Sequence, residues 1–128
     1  MHIYNIGIDI IEQSRIGKLL DKSPGAIERL FTKQEREELD SCKGFRQYRT
    51  ACGRFFALKE AVIKACGIGW QEGVAWHDVI LSNTFFCQRV RLENKLKRIA
   101  DTHHITTIIA SAYAEKHLII AQAHAFCE

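Results

Sequence analysis

Between Gly53 and Gly67 the apolar residues of this chain repeat with a helical period. Phe55, Leu58, Val62 and Ala65 fall on one stripe, the spacing of a helix with one face against a core. Gly67 and Gly69 follow as stop signals. Phe56, Glu60 and Lys64 form a second line along the margin of the stripe, each four residues from the next. Nearer the start, Ile3, Tyr4, Ile6 and Ile8 predict a strand over about Ile3–Ile8. A helix follows from about Ile11 to Leu20, closed by Ser23-Pro24-Gly25. Thr32 with Glu35 predicts a capping box for a short helix running to about Leu39. Further on, the pattern gives a strand near Trp76–Leu81, an undecided stretch over Asn83–Cys87 and an alternating strand over Gln88–Leu92. Lys95–Ala100 reads as a short helix. Ile105–Ala110 and Leu118–Phe126 read as the arms of a final hairpin around Ala114-Glu115-Lys116. The chain is thus α+β, with no repeat of solenoid period and no low-complexity segment.

Two acidic residues stand where charge is costly. Glu60 and Lys64 lie one turn apart beside the apolar stripe rather than opposite it, where the cost of a charge is higher than on a solvated face. The plain reading is a Glu–Lys helix pair worth a few tenths of a kcal/mol. Asp9 sits between Ile8 and Ile10 at the end of the first strand and needs a donor, a cation or a helix N-terminus as partner. The plain reading here is a helix cap. The sharper reading of both together is that Asp9 and Glu60 jointly hold a hard divalent cation. Two carboxylates with open water positions suit Mg²⁺, which keeps waters and takes phosphate oxygens.

Composition narrows the function classes. A chain of 128 residues with 47% hydrophobic positions predicts one domain spanning residues 1–128 with a real core. No apolar run is long enough to span a bilayer, and the N-terminus lacks the basic and apolar regions of a secretory signal. Cys42, Cys52, Cys66, Cys87 and Cys127 are odd in number and show no paired spacing, which predicts free thiols in a reducing cytosol and no zinc site. The net charge of +3 is unevenly spread. Arg15, Lys18 and Lys22 share one face of the first predicted helix, a face that suits phosphate or an acidic protein. Glu12 and Asp21 lie among them, so a solvated face is the alternative. Arg46, Arg49 and Arg54 lead into the Lys-Glu helix. Nucleic-acid binding has weak support, since no aromatic ribonucleoprotein motif, helix-turn-helix or zinc finger occurs.

Gly7-Ile8-Asp9 with Arg15-Ile16, and Phe56-Ala57-Leu58-Lys59-Glu60-Ala61 with Lys64-Ala65, resemble the two signatures of the holo-[acyl-carrier-protein] synthases, a family of the 4'-phosphopantetheinyl transferase superfamily. Phe31-Thr32 with Glu35 and the Gly67-Ile68-Gly69 turn resemble the family as well, and the likeness extends from about Ile6 to about Ala123. The resemblance implies an antiparallel sheet packed against helices. It implies Mg²⁺-dependent transfer of phosphopantetheine from coenzyme A to a serine of apo-acyl carrier protein, in fatty acid biosynthesis, by a cytoplasmic homotrimer with sites between subunits. It assigns Asp9 and Glu60 to the metal, and Glu60 and Lys64 to the chemistry. Arg54, Gly67 and Gly69 fall to coenzyme A, and Arg15, Lys18 and Lys22 to the carrier protein. Three stretches depart from the family. Its Ser-His step is Ala112-Tyr113-Ala114 here, so the general base is open between Glu60, a metal-bound water and His117. Its arginine five residues before the glutamate is Phe55, with Arg54 one place earlier, a turn of about 100° on a helix. Its Gly-Lys-Pro is Cys87-Gln88-Arg89. Two other readings remain: a catalytically weak homologue that binds carrier protein or coenzyme A without turnover, and a small basic module for an acidic protein or RNA.

Overall fold

Glycine and alanine decide how the sheet and the long helix of this protein meet. The computed structural model describes residues 1–70, 73–83 and 87–128. Its strands are β1 (His2–Glu12), β2 (Val79–Ile80), β3 (Gln88–Arg89), β4 (Arg91–Leu92), β5 (Ile105–Glu115) and β6 (Leu118–Cys127). Its helices are α1 (Gln13–Lys22), α2 (Ala26–Leu30), α3 (Lys33–Asp40), α4 (Phe45–Ala65) and α5 (Asn94–Thr102). The main sheet is antiparallel in the order β1-β6-β5-β3, and β2 pairs with β4 separately. The α+β expectation of an antiparallel sheet packed on helices is met.

The inner face of the sheet carries small residues down its centre. Ala121, Ala123 and Ala125 of β6 are fully buried, and Gly7 pairs with Ala123 while Asp9 pairs with Ala121. Side chains this short let α4 lie close to the sheet. At Gly7 the approach is direct: a Cβ there would stand 2.0 Å from the Ala61 carbonyl oxygen and 2.6 Å from the Ala65 nitrogen. Only glycine fits. The predicted stripe is confirmed, with Phe55, Leu58, Val62 and Ala65 all buried. Burial extends nearly all round α4, because sheet, α1 and α3 enclose it from several sides.

The opposite face of the sheet is apolar and open. Ile6, Ile8 and Ile10 of β1 point outward, 46–59% exposed, with Tyr113 and Ile120 beside them. Their apolar character alone predicts burial. The strand instead continues to Glu12, so Asp9 lies within it, and Gly7, Asp9 and Ile11 face the helix.

Other boundaries differ for local reasons. α1 starts at Gln13 rather than Ile11, with Glu12 at its N-cap, so Asp9 does not cap it. α2 has no counterpart among the predicted elements. α3 has the expected capping box: Glu35 N–H donates to Thr32 Oγ1 at 3.2 Å and Thr32 N–H to Glu35 Oε1 at 2.9 Å. α4 begins at Phe45, well before the apolar stripe, and so takes in Arg46, Arg49 and Arg54. The strand expected at Trp76–Leu81 is a 3-10 turn at Trp76–Asp78 followed by β2. There the buried Asp78 carboxylate accepts from Ala75 N–H at 3.2 Å, Asn94 Nδ2 at 3.3 Å and Leu96 N–H at 3.4 Å, which bends the backbone. Of the undecided Asn83–Cys87 stretch, residues 84–86 lie outside the described residues. The expected strand Gln88–Leu92 is split: β3 joins the main sheet and β4 pairs with β2. The final hairpin is longer than expected. Its first arm reaches Glu115, and the turn is Lys116-His117 with Lys116 at φ 54°. All five cysteines are free thiols. No described helix is long and apolar enough to cross a membrane.

Candidate active site

The close contact at Gly7 brings β1 and α4 together at Asp9, Glu60 and Lys64. Lys64 Nζ donates to Asp9 Oδ1 at 3.2 Å and to the Ile8 carbonyl at 3.0 Å. Its partner is therefore Asp9 across the β1–α4 seam, and it forms no ion pair with Glu60, the partner that helix spacing suggested. The second oxygen of Asp9, Oδ2, is buried and has no hydrogen-bond partner among the described residues. A buried carboxylate oxygen left so is costly.

Glu60 lies across from it at the floor of a cavity of about 510 Å³ between α1, α2 and α4. Burial pushes its carboxyl above the usual carboxylate value and the neighbouring Asp9 adds to this, while the Trp70 N–H, Lys64 and Arg15 act the other way. Trp70 Nε1 donates to Glu60 Oε2 at 3.4 Å. The cavity wall is aromatic: Trp76 stacks on Phe56 with centroids 5.1 Å apart and meets Trp70 at 4.3 Å. Arg15 and Arg29 stand at the rim among Ile11, Ile16 and Leu19.

These residues fit a hard divalent cation. The donor set is two carboxylates, one with an orphaned oxygen, and no cluster of three or more metal-binding side chains occurs among the described residues. Such a pair leaves positions for water and phosphate oxygens, the coordination that Mg²⁺ prefers.

The other residues singled out in the sequence are dispersed. Arg15 lines the Glu60 cavity, while Lys18 and Lys22 are exposed farther along α1. Arg54 is half-buried and lines a separate cavity of about 300 Å³ with Arg46, Gln47 and Thr50, away from Glu60. Arg49 is held by Asp21 at 2.6 Å, and Gly17 leaves it room, since a Cβ there would stand 2.4 Å from its Nη1. Gly67 ends α4 at φ 78°, the left-handed conformation that favours glycine. No described atom lies within 4 Å of a Cβ built at Gly69, so the fold of this chain does not demand glycine there. His117 sits exposed at the hairpin turn, where its carbonyl accepts from Gln13 N–H at 2.8 Å, and it does not line the Glu60 cavity. Two residues escape the sequence reading: Trp70 at the cavity, and Lys59 behind it. Trp70 follows the Gly67-Ile68-Gly69 turn, and an aromatic so placed is the available signal.

Known proteins resemble this chain in sequence and fold along most of its length. A sequence model of the 4'-phosphopantetheinyl transferase superfamily matches residues 5–123. The holo-[acyl-carrier-protein] synthase of Alkaliphilus oremlandii is 38% identical over 122 residues, which make up 94% of this chain and 97% of that protein. The Plasmodium yoelii acyl carrier protein synthase with ADP bound superposes with a TM-score of 0.80 at 28% identity, over 99% of this chain and 97% of that one. The Bacillus anthracis holo-(acyl-carrier-protein) synthase in complex with CoA superposes with a TM-score of 0.70 at 27% identity, over 100% of both chains. With a family model over most of its length and a relative this similar over nearly all of it, the chain belongs to the 4'-phosphopantetheinyl transferase superfamily, in its holo-[acyl-carrier-protein] synthase group.

Proposed function

We propose that this protein moves the 4'-phosphopantetheine group of coenzyme A to a serine of apo-acyl carrier protein, with Mg²⁺, as a homotrimer serving fatty acid biosynthesis. The serine oxygen bonds to the β-phosphorus of the pyrophosphate. The bond from that phosphorus to the bridging oxygen breaks, and adenosine 3',5'-bisphosphate leaves with the electron pair. The serine proton passes to a base. Such transfers need positioning and neutralised charge more than covalent chemistry.

The observation that carries this reading is the Asp9–Glu60–Lys64 cluster with its orphaned Asp9 oxygen, in a chain of this family. Asp9 and Glu60 are the residues to hold Mg²⁺, which when bound screens the pyrophosphate charge. Lys64, half-exposed beside Asp9, is open on its outer side to meet a phosphate oxygen. Glu60, which lines the cavity, and a water on the metal are the candidate bases for the serine proton, since His117 does not line that cavity. Arg15 at the cavity rim, with Lys18 and Lys22, offers a basic face to an acidic carrier protein. Gly67 and Gly69 leave the backbone approachable by coenzyme A.

Arg54 requires the trimer. Within one chain it lies away from Glu60, so it can serve coenzyme A only if a neighbouring subunit brings its cavity alongside. The open isoleucine face of β1 supports such an assembly, since an apolar patch of this kind favours association. The test is mass spectrometry of apo-acyl carrier protein incubated with coenzyme A and Mg²⁺. A mass gain of one phosphopantetheine group is expected, and it should vanish with chelator and in Asp9→Asn and Glu60→Gln. Binding of carrier protein with no mass gain would make the chain a non-catalytic homologue.

A further inference from the structure

Lys59 is fully buried, and so is Glu35. Their Nζ and Oε1 lie 2.7 Å apart. Neither touches the Glu60 cavity. Lys59 and Glu60 are neighbours in sequence, but successive side chains on a helix are rotated by about 100°. Glu60 therefore faces the cavity while Lys59 points behind its wall. A buried ion pair is weak evidence for stability by itself, because desolvation offsets much of the attraction. Its place in the fold calls for another account.

The pair is attached to the wall of the cavity. Glu35 is fixed from three directions: by Thr32 N–H at 2.9 Å, by Leu81 N–H at 2.8 Å, and by Lys59. Lys59 directs a further donor to the Trp76 carbonyl at 3.0 Å. Trp76 stacks on Phe56 and meets Trp70, and the Trp70 N–H reaches Glu60 Oε2. One continuous set of contacts thus runs from Glu35 on α3 to the Glu60 carboxylate. Every step is a directional hydrogen bond or a ring contact. The Trp76 carbonyl closes a short 3-10 turn by accepting from Val79 N–H, and Lys59 adds a second donor that ties this turn to α4 and α3.

We infer that Lys59 is a positioning residue: anchored on Glu35, it pins the Trp76 backbone, and the Trp76–Trp70 contact then sets the direction of the Glu60 carboxylate. The inference rests on Glu60 acting as proposed above. It assigns a role to the motif lysine nearest the glutamate that is distinct from that of Lys64. Lys64 would meet substrate charge, and Lys59 would never touch substrate.

The chain has two tryptophans, and both belong to this wall. The indole band in near-UV circular dichroism therefore reports on the wall alone, with no substrate present. Lys59→Met with Glu35→Gln removes the ammonium and the buried charge together, and the single amide oxygen keeps one of the two backbone donors, Thr32 N–H or Leu81 N–H, that now bond different carboxylate oxygens. In that protein the far-UV spectrum should persist and the indole band should fall by about half or more. At saturating substrates kcat should drop on the order of tenfold, with the carrier-protein KM changed less than about twofold, the pattern of a misaimed catalytic group. Trp70→Phe keeps one aromatic ring against Trp76 and removes the N–H donor together with the second ring of the indole. It should lower kcat while the remaining Trp76 band stays. A folded double variant with wild-type indole band or wild-type kcat overturns the inference. So does a fully active Trp70→Phe, which also decides the matter if the double variant fails to fold. A wild-type protein without transferase activity would refute the proposed chemistry, and the indole band would still decide whether Lys59 holds the wall.

Discussion

Two lysines five residues apart on α4 each pair with a carboxylate from another element, and the two pairs behave as opposites. Lys59 and Glu35 are sealed, 0% exposed on both sides at 2.7 Å. Lys64 and Asp9 are 50% and 13% exposed at 3.2 Å, with one Asp9 oxygen left unsatisfied. In the first pair both carboxylate oxygens accept backbone N–H donors, the lysine also donates to a backbone carbonyl, and solvent reaches neither side chain. Such a pair can only hold parts together. In the second, capacity is left over on both partners, and leftover capacity is what a ligand uses. Burial lowers the proton affinity of the Lys59 ammonium, which Glu35 counteracts. The same residue types thus serve structure or chemistry according to how completely the fold satisfies them.

The comparison breaks first at the sealed pair. Lys59→Ala alone leaves Glu35 buried without its cation and should cost about 3–5 kcal/mol, read as a large fall in the denaturant midpoint. A loss under about 1 kcal/mol would mean that water reaches Glu35. At the open pair the effect should move from stability to catalysis. Lys64→Ala should lose on the order of 10²-fold in kcat, the usual cost of removing one charge-stabilising donor, yet its stability should change by no more than about 1 kcal/mol. Lys64→Arg should recover activity only in part, because a planar guanidinium does not replace a compact ammonium. Near-normal kcat in a stable Lys64→Ala protein would reduce this pair to a surface ion pair.

The seam that creates the open pair is tested at Gly7. A methyl group there meets the Ala61 carbonyl at 2.0 Å, so Gly7→Ala should cost about 1–3 kcal/mol and weaken Mg²⁺ binding by parting Asp9 from α4. Isothermal titration with Mg²⁺ checks the second effect, which a purely local strain would not produce. On the rim, Arg15→Glu should raise the carrier-protein KM about tenfold, a difference that shrinks as salt rises. An equal change in the coenzyme A KM would remove α1 from the docking surface.

The smallest effect concerns the thiols that line the sealed side of α4. Burial raises Cys52 to about 12 and Cys66 to about 11, from 9.0 in the free thiol. In the folded protein both should stay protonated and unreactive at about pH 8, and exposed Cys87 should be alkylated first, as peptide mass mapping would show. The sign of the linked stability follows. The unfolded thiols ionise from about pH 9 while the folded ones hold their protons, so their contribution is complete below about pH 9 and declines as pH rises towards about 11–12. Cys52→Ala should flatten that decline in a series of alkaline melts.

Local rules carried much of the fold. The Thr32–Glu35 capping box, the Phe55–Ala65 stripe and the final hairpin are each short-range in origin; the first two stand where their patterns put them, and the hairpin forms with a longer first arm and its turn at Lys116-His117. The misses share a cause. Trp76–Asp78 is a turn because Asp78 finds donors on α5, up to 18 residues away in sequence, and Gln88–Leu92 divides because two different strands compete for it. Nothing within either segment records those partners.

The candidate site divides in the same way. From the sequence alone came the residue types: Asp9 inside an apolar run, Glu60 and Lys64 beside a stripe, and a basic face at Arg15, Lys18 and Lys22. These are periodicities and local costs of charge, and one chain suffices to read them. Tertiary structure alone decided the pairings. Lys64 left its helix neighbour Glu60 for Asp9, 55 residues away, because Gly7 lets two backbones touch. Lys59 found Glu35, Ile6, Ile8 and Ile10 of β1 turned outward, and Trp70 came to rest on Glu60. Pairing energy depends on distance and burial, and both are set when the whole sheet closes over α4 rather than by any stretch of sequence.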